Sequence, residues 1–278
     1  MRVAAPKAVR PQDRLFEDPY AELFVQDPAL RALMSQPWLI KTVGRAIDRY
    51  YAGLIGEAVL RNRYADDALE IALSAGVDQV VLLGAGYDST ALRYAGRPVR
   101  FFEVDRADTQ RQKRAIVEER AASALGEIAF VSCDLLSDDL AEALVGYGFD
   151  PARPALVTWL AVSFYLPEAA VEETMSALFR LLAPGSQVIF NYLHRDVIDD
   201  STASAGARRA RRAVAKRGEP WLYGMDPAGL PSWLERHGFE AIDHLTGAEL
   251  GQRYFGAATP ATIADYISLV TAEPRRSS

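Results

Sequence analysis

The sequence predicts an α/β protein whose first strand delivers the chain into a glycine turn, and three observations carry that reading. Val80, Val81, Leu82 and Leu83 form a short apolar run closed by Gly84 and Gly86, the pattern of a strand buried on both faces. A second apolar run, 99–104, contains Glu103 and leads into Asp105. Further short apolar runs then alternate with helical patterns to the C-terminus, an order that builds a largely parallel sheet.

Before the first strand, residues 13–75 carry helical spacing and no strand pattern. Leu15, Phe16, Tyr20, Leu23 and Phe24 lead into Leu30, Leu33 and Met34, with breaks at Pro19, Pro28 and Pro37. A longer helical stretch runs from Trp38 through Ile47, Tyr51, Ile55, Val59 and Leu73. Residues 1–75 are expected as a cap over the C-terminal edge of the sheet, where open α/β folds bind ligands. In the turn that follows, Gly84 and Gly86 lack Cβ atoms, so a ligand can lie against bare main chain around Ala85. Asp88 and Ser89 stand where the next helix would be N-capped.

Glu103 and Asp105 fall near the offset at which nucleotide-binding units hold ribose hydroxyls. A dinucleotide fingerprint wants a third glycine where this chain has Ser89, whereas a ligand without phosphate needs only the ribose carboxylates and a main-chain approach. The pattern therefore favours S-adenosylmethionine over NAD(P). An NAD(P)-dependent oxidoreductase is the rival enzyme, and a cofactor-binding subunit without transfer activity is the rival from another class.

Further along, 107–124 reads as a charged helix whose Arg111, Lys113, Arg114, Glu118, Glu119 and Arg120 make a solvated face. A strand at 128–131 leads to Cys133, Asp134 and Leu135, and a strand at 154–160 exits into 161–166. There Ser163 is expected to touch substrate and Tyr165 to take part in catalysis, with a buried tyrosine finding a local partner as the alternative. A helix at 167–182 feeds a strand at 187–193, which ends beside His194. His194 is the best titrating candidate for a general base and Tyr192 a candidate substrate contact; a surface histidine without chemistry is the alternative. Residues 195–220 are polar and basic, with RRARR at 208–212, and read as a helical lid whose arginines either draw an anionic substrate or face solvent. A helix at 227–237 and strands at 239–245 and 263–272 complete the sheet.

A chain of 278 residues is long enough for one large domain, divided here into cap (1–75), cofactor-binding core (76–194), lid (195–225) and C-terminal sheet completion (226–278). The net charge of −6 argues against a general nucleic-acid or anionic-membrane surface. Cys133 is the only cysteine, so neither an intrachain disulfide nor a thiolate metal cluster is expected. The basic N-terminal stretch lacks an apolar core of signal-peptide length, which makes the cytoplasm the expected compartment. No HExxH, CxxC or GxSxG pattern occurs, so no metal site and no nucleophile elbow are expected.

Several ordered motifs resemble one family. RNRYADDAL at 61–69, QVVLLGAGYDS at 79–89, FEVDR at 102–106, CDL at 133–135 and WLAVSFYLP at 159–167, with GEPW from Gly218 and RYFG from Arg253, look like the leucine carboxyl methyltransferase-like branch of the class I S-adenosylmethionine-dependent methyltransferases, its bacterial members above all. The resemblance covers most of the chain from Asp18 onward. It implies the class I (Rossmann-like) fold: a seven-stranded, mostly parallel sheet with helices on both faces, an N-terminal helical cap, a helical lid insertion and an antiparallel final pair of strands. It also implies that Arg63 meets the carboxylate of the cofactor's methionine moiety, which suits a guanidinium fork, against the alternative of a surface pair with Asp66 or Asp67. Asp134 and Leu135 would hold the adenine, with Asp134 as a helix cap the alternative. The partner implied is a small-molecule methyl acceptor in bacterial secondary metabolism, a carboxylate before a hydroxyl. Leu160 aligns where eukaryotic members carry a glutamate, so a ligand contact there is missing or moved.

Overall fold

The computed structural model describes residues 18–25, 27, 36–126, 128–256 and 263–275. Among them, seven strands form one sheet: β1 (Gln79–Leu83), β2 (Arg100–Asp105), β3 (Ile128–Ser132), β4 (Leu156–Trp159), β5 (Gln187–Leu193), β6 (Phe239–Thr246) and β7 (Ile267–Pro274). Their order is β3-β2-β1-β4-β5-β7-β6. The first five run parallel, and β7 is antiparallel to both β5 and β6. After β1 the chain builds outward to β3 on one side, then crosses to β4 on the other. That reversal parts the connections leaving β1 and β4 and opens a crevice at the C-terminal edge.

The helices are α1 (Pro37–Tyr50), α2 (Leu54–Ser74), α3 (Thr90–Arg93), α4 (Ala107–Arg120), α5 (Leu140–Gly146), α6 (Glu168–Leu181), α7 (Arg195–Ile198), α8 (Ala205–Ala215), α9 (Leu230–Arg236) and α10 (Gly247–Phe255). Because side chains alternate along a strand, β1 serves both layers. Val81 and Leu83 pack with Leu144 of α5, Met175 of α6 and Trp233 of α9. Val80 and Leu82 pack with Leu60 and Leu69 of α2 and Leu250 of α10.

Among the described residues the N-terminal stretch is helical over α1 and α2, and α2 packs on a face of the sheet, not across its edge. Its apolar residues Leu60, Tyr64, Leu69 and Ala72 are buried in the cluster with Val80 and Leu82, and Tyr64 Oη reaches Thr271 Oγ1 of β7 at 2.6 Å. Only its beginning sits at the edge, where Tyr51, Ala52 and Leu54 pack with Phe164 and Leu193. The expectations on Leu15, Phe16, Leu30, Leu33 and Met34 lie outside the described residues.

The final strand starts at Ile267, later than its apolar pattern predicts, because Ala264 N–H donates to Gly53 O (3.2 Å) and ties this segment to the start of α2. Helix α10 is an element the strand and helix periodicities did not reveal. Its capping box is nonetheless written in the sequence: Thr246 Oγ1 accepts from Glu249 N–H, and Glu249 reaches back to Thr246 N–H. In the lid, the RRARR arginines fasten the insertion. Arg208 donates to Thr202 O, Arg209 Nε to Tyr50 O at 2.8 Å, and Arg211 stands 3.6 Å from Asp200. No described helix is long and apolar enough to cross a membrane.

Candidate functional site

The crevice holds a cavity of about 600 Å3. Gly84 supplies its wall at the exit of β1, Val104, Asp105 and Arg106 at the end of β2, and Cys133 to Leu136 after β3. Val162, Tyr165 and Leu166 follow from the exit of β4, and Gly218 to Pro220 with Leu222 close it from the lid. The lid is tied down at this point, since Leu222 N–H donates to Phe164 O at 2.7 Å and Trp221 packs edge-on against Phe164.

The exit of β4 is shaped by a buried polar chain. Ala161 sits at φ +60, a left-handed conformation that costs a non-glycine residue about 1–2 kcal/mol. Its N–H donates to Asn191 Oδ1 at 2.7 Å, Asn191 Nδ2 donates to Glu57 Oε1 at 3.3 Å, and Arg61 closes on Glu57 Oε2 at 2.5 Å. The turn drives Val162 against Gly84, where an added Cβ would lie 2.4 Å from Val162 Cγ2. The missing Cβ of Gly84 therefore accommodates a protein side chain, not a ligand. Gly86 is the open position, with nothing nearer than 3.9 Å to its would-be Cβ.

Asp105 lies on the cavity wall and also shapes the turn, accepting from Gly86 N–H at 2.6 Å through Oδ2 and from Arg106 N–H at 2.7 Å through Oδ1. Glu103, expected beside it, is elsewhere. One pleat further inside β2, it is covered by α4, and its carboxylate pairs with Lys113 Nζ at 2.6 Å. Burial pushes the Glu103 carboxyl upward, with the Lys113 charge opposing. Lys113 is correspondingly buried, contrary to its expected place on a solvated face.

Asp134 stands on the wall and holds Leu136 N–H at 3.0 Å, while α5 is capped by Asp139 through Ala141 N–H and Glu142 N–H. Leu135 is on the wall with it. Beside them the Cys133 thiol is pushed up to about 11 by burial. Ala85 and Asp88 act on the turn itself: Ala85 N–H donates to Val104 O at 3.0 Å, and Asp88 Oδ1 accepts from Thr90 N–H at 2.7 Å. Tyr165 faces the cavity, and burial raises its phenol above the ordinary tyrosine value.

Four other expected residues are not brought there. Arg63 pairs with Asp67 at 2.8 Å on the outer side of α2, the surface alternative. His194 Nε2 meets Ser268 Oγ at 2.9 Å between β5 and β7, and burial lowers its pKa. Tyr192 is fully buried, its hydroxyl on His244 Nε2 at 3.0 Å and its phenol pushed up to about 12, chiefly by burial. Ser163 is buried and donates to Asn191 O at 2.8 Å. All three of the latter are held between β5 and neighbouring segments of the sheet and its loops, where covered polar groups are satisfied internally.

Sequence reasoning missed Glu57, Arg61 and Asn191, and with them Arg106, Val162 and Glu219. Glu57 and Arg61 carried a usable signal: an i, i+4 charge pair set among Ile55, Ala58, Val59 and Leu60 is a charge on an apolar stripe. Arg61 of the RNR motif is half-buried on Glu57, its Nε left without a partner and its charge felt by Tyr165.

Residues 1–179 match the family described as leucine carboxyl methyltransferase. The chain belongs to the leucine carboxyl methyltransferase family. Relatives in Streptomyces avermitilis and Streptomyces coelicolor, named as S-adenosyl-L-methionine-dependent methyltransferases, are each 35% identical to it, over 87% of this chain and 81% of theirs. The crystal structure of a DUF574 family protein from Streptomyces avermitilis superimposes with a TM-score of 0.62 at 19% identity, covering 98% of this chain and 99% of the other, a likeness of fold. In this leucine carboxyl methyltransferase family member, Leu160 packs with the apolar cluster under α2.

Proposed function

We propose that this methyltransferase transfers the methyl group of S-adenosylmethionine to a carboxylate oxygen of a small molecule, in bacterial secondary metabolism and within the cytoplasm. The cavity suits that cofactor, because its volume falls in the range of about 300–1,000 Å3 typical of small-molecule sites and its carboxylates stand at the strand ends. Asp105 would hold the ribose hydroxyls, and Asp134 with the Leu135 main chain the adenine edge. Arg61, in place of Arg63, offers the fork for the methionine carboxylate. When bound, S-adenosylmethionine supplies an already activated sulfonium methyl for a single in-line displacement.

Tyr165 is the observation that carries the choice of oxygen. Its phenol, raised by burial, stays protonated at neutral pH and can donate a hydrogen bond to an anionic acceptor; it does not serve as a base. The described lining residues include neither histidine nor lysine, so the wall carries no imidazole or amine to take a proton from an alcohol. A carboxylate acceptor arrives ionised and needs no proton removed. Val162, Leu166, Pro220 and Leu222 exclude water around the acceptor, leaving orientation as the protein's main contribution.

The test offers methyl-labelled S-adenosylmethionine and a panel of small acids and phenols, then treats the product with mild alkali. A methyl ester releases labelled methanol, and an ether does not. We expect alkali-labile product, and for Tyr165→Phe a loss of about tenfold or more in acceptor kcat/KM with cofactor Kd nearly unchanged. Alkali-stable product contradicts the carboxylate, and binding of NAD without S-adenosylmethionine affinity contradicts the cofactor.

A further inference from the structure

We propose that Lys113 is a positioning residue for the cofactor: its buried ammonium group clamps the far end of the glycine turn, at Asp88, to β2 and α4. Helix α4 is charged along most of its length, yet Gln110 and Lys113, one turn apart, point into the protein and are buried. Gln110 Nε2 donates to the main-chain oxygens of Glu103 and Val131, 2.7 Å each, and pins β2 to β3. Lys113 Nζ donates to Glu103 Oε2 at 2.6 Å and to Asp88 O at 2.5 Å.

The second bond gives Lys113 its role. Near its start the turn is held to β2 by Ala85 N–H on Val104 O and Gly86 N–H on Asp105 Oδ2. Lys113 holds its end, where the chain passes into α3. If Asp88 shifts, Gly86 shifts with it, and Asp105 loses the N–H that aims its carboxylate along the cavity wall. Lys113 thus reaches the cofactor site through Asp88, Gly86 and Asp105 without touching the cavity itself.

Stability is a poor reason for burying this pair. Glu103 Oε1 is buried without a partner, and an apolar pair of similar volume generally stabilises a core at least as well as a buried ion pair. What an apolar pair lacks is a donor for Asp88 O.

The inference rests on S-adenosylmethionine as the cofactor, so the experiment has one readout that needs no ligand. Amide hydrogen exchange over residues 84–90 is measured in the ligand-free protein, and the Kd of S-adenosylhomocysteine by calorimetry, for wild type, Lys113→Met, Glu103→Gln and the double variant Glu103→Leu/Lys113→Met. The double variant removes both charges and keeps the core filled, which guards against simple unfolding. We expect it to melt near the wild-type temperature, to exchange residues 84–90 about tenfold faster while β1, β2 and β5 stay protected, and to bind the ligand about tenfold more weakly. Glu103→Gln, which leaves Lys113 on Asp88 O but strips its counter-charge, is expected to melt below wild type and still to bind the ligand within about threefold of wild type. Wild-type exchange and affinity in the double variant would make Lys113 a structural residue only and overturn the proposal. Faster exchange in the double variant with no ligand binding by the wild type supports the clamp and overturns the cofactor assignment instead.

Discussion

Gly84 and Gly86 look alike in the sequence and do different work in the structure. Both take positive φ, +64 and +44, but Gly84 makes room for Val162 while Gly86 presents an open main chain beside Asp105. Gly84→Ala therefore combines left-handed strain with overpacking and is expected to lose about 2–4 kcal/mol in denaturant unfolding. Gly86→Ala carries the strain alone, about 1–2 kcal/mol. Val162→Ala in the Gly84→Ala background should recover part of the loss; equal penalties at the two glycines would remove Val162 from the explanation. The residue types of the turn and its acids were legible because each has a backbone or charge reason to be where it is. Which acid meets the cavity was not: Glu103 and Asp105 share a strand face, and only the packing of α4 decides that the inner one is sealed against Lys113.

At the scale of elements, two histidines sit where β5, β6 and β7 meet, His244 within β6 and His194 just past β5, and burial disfavours charging either ring. His194 bonds Ser268 and His244 bonds Tyr192, and burial lowers the pKa of both rings from the ordinary 6.5. A group whose folded pKa lies below its unfolded value is protonated first in the unfolded chain, so falling pH favours unfolding. Stability from this source is full above the ordinary histidine value and declines as pH drops through 6.5 toward the lowered folded values. Melting temperature followed from about pH 8 to about pH 5.5 should fall less in a His194→Gln/His244→Gln variant than in wild type. Parallel curves would show that the two rings do not couple to folding. Strand positions were readable from apolar runs, as β1 and β5 show, because most side chains of a strand covered on both faces must be apolar. The path of α2 was not, since apolar residues such as Leu60, Tyr64 and Leu69 say that a helix is covered without saying by what. His194 was misplaced for the same reason: its sequence position names the sheet edge, and only Ser268 on the neighbouring strand shows which way its ring is held.

For the whole molecule, the crossing from β1 to β4 creates the site, and the lid finishes it. Seven strands, mostly parallel with an antiparallel final pair, followed from the alternation of elements together with the family motifs, and the sheet has them; the strand order itself emerges only in the structure. The cavity wall is a different kind of object. It gathers side chains from positions as distant as Gly84 and Leu222, and no local pattern links the exit of β4 to the GEPW segment of the lid. Pairings such as Asn191 on Ala161, which forces Val162 toward Gly84, arise only once the sheet has formed. A crystal structure of the chain with S-adenosylhomocysteine tests this assembled crevice most directly. The predicted result is an adenosyl group in the crevice, its ribose hydroxyls on the Asp105 carboxylate and its adenine edge on Asp134 and the Leu135 main chain. The ligand bound outside the crevice, or bound there with Asp105 turned away from the ribose, would contradict it.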